Sequence, residues 1–144
     1  MKPFNGLSAQ DNEELLKFPA YISMLAANNN VKMDEVEKKA ALKIAHIKTF
    51  SCDPSLTKFY KEASKVLEKN VEQLVKVLPK EKNNRESTIK KKLLNLEKVI
   101  SKLGKEQALI FHLSMKSFSE HVSKAHHSVI EDFILPISIP GLTD

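Results

Sequence analysis

Apolar residues recur along most of this chain at spacings of three and four, the period of helices buried on one side. Leu15, Phe18, Ile22 and Leu25 share one face of a helix expected from about Asp11 to Asn28, with Leu16 and Ala26 at its edges. Ser8 can cap that helix, with Asp11 three residues on. Pro19 lies inside the pattern and has no N–H, so it either kinks the helix or splits off a short opening turn. The periodicity continues across it, which favours the kink. A second helix is expected from Asp34, with Glu37 three positions later and Met33 packing back on it. Its buried stripe is Val36, Ala40, Ile44 and Ile47.

Asp53 and Pro54 suit a cap and a first helical position. A long third helix then runs from about Pro54 to Leu78, its apolar side formed by Phe59, Ala63, Val66, Leu67, Leu74 and Leu78. Residues 79–84, PKEKNN, read as a polar turn. The fourth helix carries Ile89, Leu93, Leu96, Ile100 and Leu103, and Gly104 follows as an end or hinge. These anchors could also form a dimeric coiled coil, but the run is short and bounded by breakers, which favours packing within the chain. The last helix, about Lys105 to Leu135, places Ala108, Phe111, Met115, Phe118, Val122, Ala125, Val129 and Phe133 on its core stripe. Pro136 ends it and leaves an extended apolar tail at 136–144. The expected fold is all-α, a single helical bundle of about five main helices over residues 1–144.

Composition agrees with that picture. Three glycines are too few for a chain rich in tight turns or phosphate-cradling loops, and 42% hydrophobic with 28% charged residues is ordinary for a globular protein. The single cysteine, Cys52, cannot form an internal disulfide, and no leader-like segment is apparent, so a cytoplasmic location is expected. No apolar run approaches the roughly 18–20 residues of a membrane span, and no membrane insertion is expected.

Charge is uneven. Residues 51–104 hold thirteen basic and seven acidic side chains, against seven and six before them and three and five after. Such a segment can steer an anionic partner. Signs mostly alternate along the helices, however, and no aromatics interleave with Lys90, Lys91 and Lys92 to stack on bases, so nucleic acid is not the expected partner.

Four of the five histidines fall in the last helix, at His112, His121, His126 and His127. His112, Ser119 and His126 lie near the core stripe, but one helix spaces them too far apart to share a metal. Glu120, Lys124, His127 and Glu131 line another face, where opposite charges four apart support a helix without any ligand. A histidine there could join carboxylates of another helix around a metal. The Glu-x-x-His motif of carboxylate-bridged bundles is absent, and the alternative is histidines hydrogen-bonded in or near the core. Cys52 precedes a cap but has no identifiable general base, and no nucleophile elbow, Walker loop or dinucleotide glycine pattern occurs.

The stretch NNNVKMDEVE, Asn28 to Glu37, invites a calcium-loop reading. Counting from Asn28, Lys39 occupies the twelfth position, where a bidentate glutamate belongs, and no glycine supports the central turn. Asn28 to Asn30 instead suit a helix end. The same stretch resembles the hairpin of the TerB-like domains associated with tellurite resistance and stress response. Asn30 stands at the usual aspartate, Val31 at the usual glycine, Met33 at the aliphatic position, and Asp34, Glu35 and Glu37 in the acidic helix start. The preceding FPAYISMLAA looks like the family's first helix, so the resemblance covers about residues 15–50. It implies an all-helical, usually cytoplasmic domain without established catalysis, with acidic residues linked in some members to divalent metals.

The expected function is therefore a non-enzymatic, stress-associated or accessory module that binds another protein. The basic middle and the apolar tail are its candidate contact surfaces, and no cofactor is expected. The alternative is a divalent-metal binder or metal-dependent enzyme using carboxylates and histidines from different helices, with Asn30, Asp34 and Glu37, the positions the resemblance implies, as one candidate site and His112, His121 and His127 as another.

Overall fold

The computed structural model describes Phe4, the backbone of residues 6–29 and 50–125, and the side chains of residues 6–25 and 50–122. Among the described residues there are five α-helices and no strand: α1 (Ala9–Leu16), α2 (Phe18–Asn29), α3 (Thr57–Val77), α4 (Lys82–Ile100) and α5 (Lys105–Ala125). The expected helix from Asp34, the end of the last helix and the tail at 136–144 lie outside the described residues.

Ser8 caps α1 as its position suggested, its hydroxyl accepting the Asp11 N–H at 3.0 Å. The expected kink at Pro19 is instead a break at Lys17. Pro19 cannot donate to the carbonyl of Leu15 and its ring crowds that carbonyl, so the first helix closes before it. The Lys17 N–H donates to the Glu14 carbonyl at 3.1 Å, and α2 restarts with the Tyr21 N–H on the Lys17 carbonyl at 3.0 Å. Before α3, Asp53 accepts both the backbone N–H and the hydroxyl of Ser55, at 2.9 and 2.7 Å, and Pro54 opens a single 3-10 turn ahead of the helix. The polar run PKEKNN is not all turn. Glu81 accepts the N–H groups of Asn83 and Asn84 at 3.0 and 2.8 Å, so α4 begins inside it. Gly104, at φ 94° and ψ 159°, separates the 3-10 turn Ser101–Leu103 from α5, a conformation open almost only to glycine.

Helix α2 is the axis of the packing. Every side chain from Phe18 to Leu25 is buried, and the helix packs against α3, α4 and α5. A helix apolar all round has to sit inside, because each exposed face would leave hydrophobic area in water. The others bury one stripe each: Phe59, Tyr60, Ala63, Leu67, Val71 and Leu74 in α3, Ile89, Leu93, Leu96 and Ile100 in α4, and Ala108, Phe111, Met115, Phe118 and Val122 in α5. Each fully buried large side chain contributes roughly 1.5–3 kcal/mol. Val66 and Leu103, expected in the core, are only half-buried.

Aromatic rings tie the N-terminal end to α3 and α5. The ring of Phe4 lies 5.9 Å from Phe59 and 5.5 Å from Phe111, and Phe59 meets Phe111 edge-on at 4.8 Å. Asn12 holds Phe4 there. Its buried Oδ1 accepts the Phe4 N–H at 2.9 Å, and its Nδ2 donates to the carbonyls of Phe4, Leu7 and Ser8 at 2.9, 3.2 and 3.0 Å.

Candidate functional site

His112, the first of the expected histidines, is fully buried on α5 and faces Glu97 of α4. Its Nδ1 lies 3.1 Å from both carboxylate oxygens, and neither residue is more than 2% exposed. The pair is satisfied when Nδ1 carries the proton and the carboxylate accepts it. Nε2 is buried with no hydrogen-bond partner among the described residues. A carboxylate holding one ring nitrogen is how metal-bound and basic histidines are oriented, but such histidines also need the second nitrogen to reach a ligand or substrate. Here the pair joins two helices beneath the surface. Glu97 escaped the sequence reading although it carries a signal: it lies four residues after Leu93 and eight after Ile89, on the buried side of α4.

His121 is half-buried, and its ring lies 5.6 Å from that of Phe50. Asn30, Asp34, Glu37 and His127 lie outside the described residues. Among the described residues no three His, Cys, Asp or Glu side chains gather closely enough to hold a metal ion. Half-buried Cys52 has its sulfur 4.0 Å from the hydroxyl of Thr57.

Three of the surface hollows lie among the described residues. Where α1 breaks from α2, Glu14, Lys17 and Tyr21 meet the end of α3 and the Thr88–Lys92 turn of α4 around about 290 Å³. Lys17 is committed there to Glu14 at 3.1 Å. Burial, and then the charge of Glu14, push the Tyr21 phenol up to about 12, so it stays a neutral hydroxyl. A wider groove of about 670 Å³ runs between α1 and α3, past Leu16, Val66 and Asn70. The third, about 230 Å³, lies beside Phe50 and is walled by Ile110 and Leu113 of α5, Leu113 being 51% exposed. Its carboxylate, Asp53, is held below its ordinary range by the hydroxyl and then the N–H of Ser55.

The most distinctive surface is the outer side of α4. Asn84, Ser87, Lys91, Asn95 and Lys98 follow one another at spacings of three and four, and all are exposed. Of the two acidic residues within α4, Glu97 is buried against His112 and Glu86 lies 3.5 Å from Lys90. Lys91, Lys92 and Lys98 have no carboxylate partner among the described residues. On α3 the exposed lysines share their side with Glu62, Glu68 and Glu72, and Lys65 pairs with Glu62 at 3.3 Å.

No described helix is long and apolar enough to cross a membrane. Comparisons of the chain with models of known protein families, with curated proteins and with solved structures found no match.

Proposed function

We propose that this all-helical chain is a non-catalytic accessory module that binds another protein through the outer side of α4. The observation that carries the reading is the positive charge of Lys91 and Lys98 on that exposed side, which no carboxylate among the described residues pairs. The placement of the one described histidine–carboxylate pair supports it. Glu97 and His112 are sealed from solvent, where they can fasten α4 to α5 but cannot meet a substrate. Burying such a pair fixes how two helices sit against each other and so keeps the α4 surface in one geometry. The resemblance to TerB-like domains, carried by residues 15–50, adds a stress-associated role in the cytoplasm to the proposal.

A photo-crosslinking amino acid placed at Lys98 tests this in the native host. A discrete protein adduct from position 98, absent when the probe stands at Lys61 on α3, is the expected result. No discrete adduct from Lys91, Asn95 or Lys98 overturns the reading. The metal-dependent alternative predicts a stoichiometric heat on titration with zinc, manganese or calcium, lost on substitution of His112, His121, His127, Asp34 or Glu37. The accessory reading predicts no such heat.

A further inference from the structure

We infer that the partner segment seated on α4 is itself an acidic α-helix, its carboxylates spaced to meet Lys91, Lys98 and Lys102. The inference rests on the proposed protein-binding role and adds the chemistry and register of the partner.

Three observations lead to it. First, the cations lie in a line. Lys91 and Lys98 are seven residues apart, about 10.5 Å along a helix at 1.5 Å per residue, and Lys102 stands four residues further in the 3-10 turn. A second helix laid parallel alongside repeats the rise of α4, so carboxylates at positions i and i+7 fall opposite Lys91 and Lys98, and one at i+11 comes within reach of Lys102 beyond the change to the tighter 3-10 rise. Lys102 already shares Asp11 at 3.0 Å, yet stays 58% exposed and can turn toward a second carboxylate.

Second, the other polar residues on the same side of α4 are uncharged. Asn84, Ser87 and Asn95 can hydrogen-bond a partner without repelling its acids, and the burial of Glu97 removes the carboxylate that sequence alone would count against this helix. The surface is therefore more basic than the charge of the segment suggests.

Third, the donors suit carboxylates better than a nucleic-acid backbone. The chain has a single arginine, Arg85. Its Nε donates to the Pro79 carbonyl at 3.1 Å and its Nη2 to the Lys80 carbonyl at 2.7 Å, which turns the guanidinium into the loop before α4. The planar fork that grips phosphates in pairs is thus engaged elsewhere. No aromatic residue stands among the exposed α4 positions to stack on bases.

The test is fluorescence anisotropy of the full chain with a labelled, Ala- and Gln-based 20-residue helical peptide carrying Glu at i, i+7 and i+11. Saturable one-to-one binding at low salt is expected, weakening about tenfold between 50 and 200 mM salt as the charges are screened. Lys91→Glu with Lys98→Glu should weaken binding at least about tenfold, because attraction becomes like-charge repulsion. Lys61→Glu with Lys65→Glu on α3 changes net charge equally and should leave affinity within about twofold. Circular dichroism melts matching the unsubstituted chain show that both variants fold. Absence of saturable binding, equal loss in both variants, or tighter binding of a 20-base-pair DNA duplex each overturns the inference. If the acidic helix fails while the photo-crosslink at position 98 persists, the partner's chemistry is wrong and the binding role stands.

Discussion

Asn12→Ala tests how the N-terminal segment is held. The side chain fills a fully buried position and bonds four backbone groups. Two of these keep other partners after truncation: the Ser8 carbonyl retains the Asn12 N–H at 3.0 Å, and the Phe4 carbonyl retains the Leu7 N–H at 3.3 Å. The Phe4 N–H and the Leu7 carbonyl have no other partner among the described residues. Each stranded group costs about 1–3 kcal/mol, and half-buried Phe4 lets water recover part of it, so the expected loss is about 2–4 kcal/mol. Detachment of the segment does not escape the cost. It gives up the ring contacts of Phe4 with Phe59 and Phe111, about 0.5–1.5 kcal/mol each, along with buried apolar area. Urea denaturation measures the loss directly, and a fall in Tm of roughly 4–16 °C should accompany it. Asn12→Asp sharpens the test. It keeps the shape and adds a charge favourable to a helix start, but turns an oxygen toward three carbonyls. At neutral pH it should cost at least as much as alanine. A loss below about 0.5 kcal/mol for alanine, or full tolerance of aspartate, would refute the clamp.

The remaining predictions concern the buried pair, a cap and a turn. Glu97→Ala should cost about 1–3 kcal/mol by stranding the His112 Nδ1–H, and adding His112→Leu should recover part of that; losses in a double-mutant cycle that simply add would contradict the pairing. The carboxyl of Glu81 is held below its ordinary range by the N–H groups of Asn83 and Asn84, so folding favours its ionised form. Its contribution is present at neutral pH and lost as pH falls through the depressed value, so the stability gap between the unsubstituted chain and Glu81→Ala should close in acid. A gap that persists at pH 2 would contradict the cap. At Gly104 an added Cβ would meet nothing within 4 Å, yet φ 94° strains any side chain. Gly104→Ala should cost about 1–3 kcal/mol from backbone conformation alone, and an unchanged denaturation midpoint would contradict that reading.

Much of the fold was legible because helix periodicity is a local property. Ile89, Leu93, Leu96 and Ile100 are buried where their spacing put them, as are Phe111, Met115 and Phe118. The burial of α2 on all sides was written in its composition, since Phe18 to Leu25 carries no charge, but a search for one apolar face picked out only part of it. The start of α4 was hidden because its cap is a glutamate within a polar run. Long-range polar pairings were the least accessible. Glu97 meets His112 across a turn and Tyr60 meets Ser114 at 2.8 Å across 54 residues, and nothing local in either sequence neighbourhood names the partner. For the α4 surface, the lysine positions were visible in the sequence. Their lack of a carboxylate partner among the described residues was not, because it depends on which acids are buried or paired.

Nuclear magnetic resonance mapping of the full chain with the acidic helical peptide addresses the central claim most directly. The account predicts amide shift changes along residues 84–102, strongest at Lys91, Asn95 and Lys98 and fading as salt is raised. Changes centred on Tyr21 and Gln73, or on Ser51 and Leu113, would place binding in one of the hollows and contradict it.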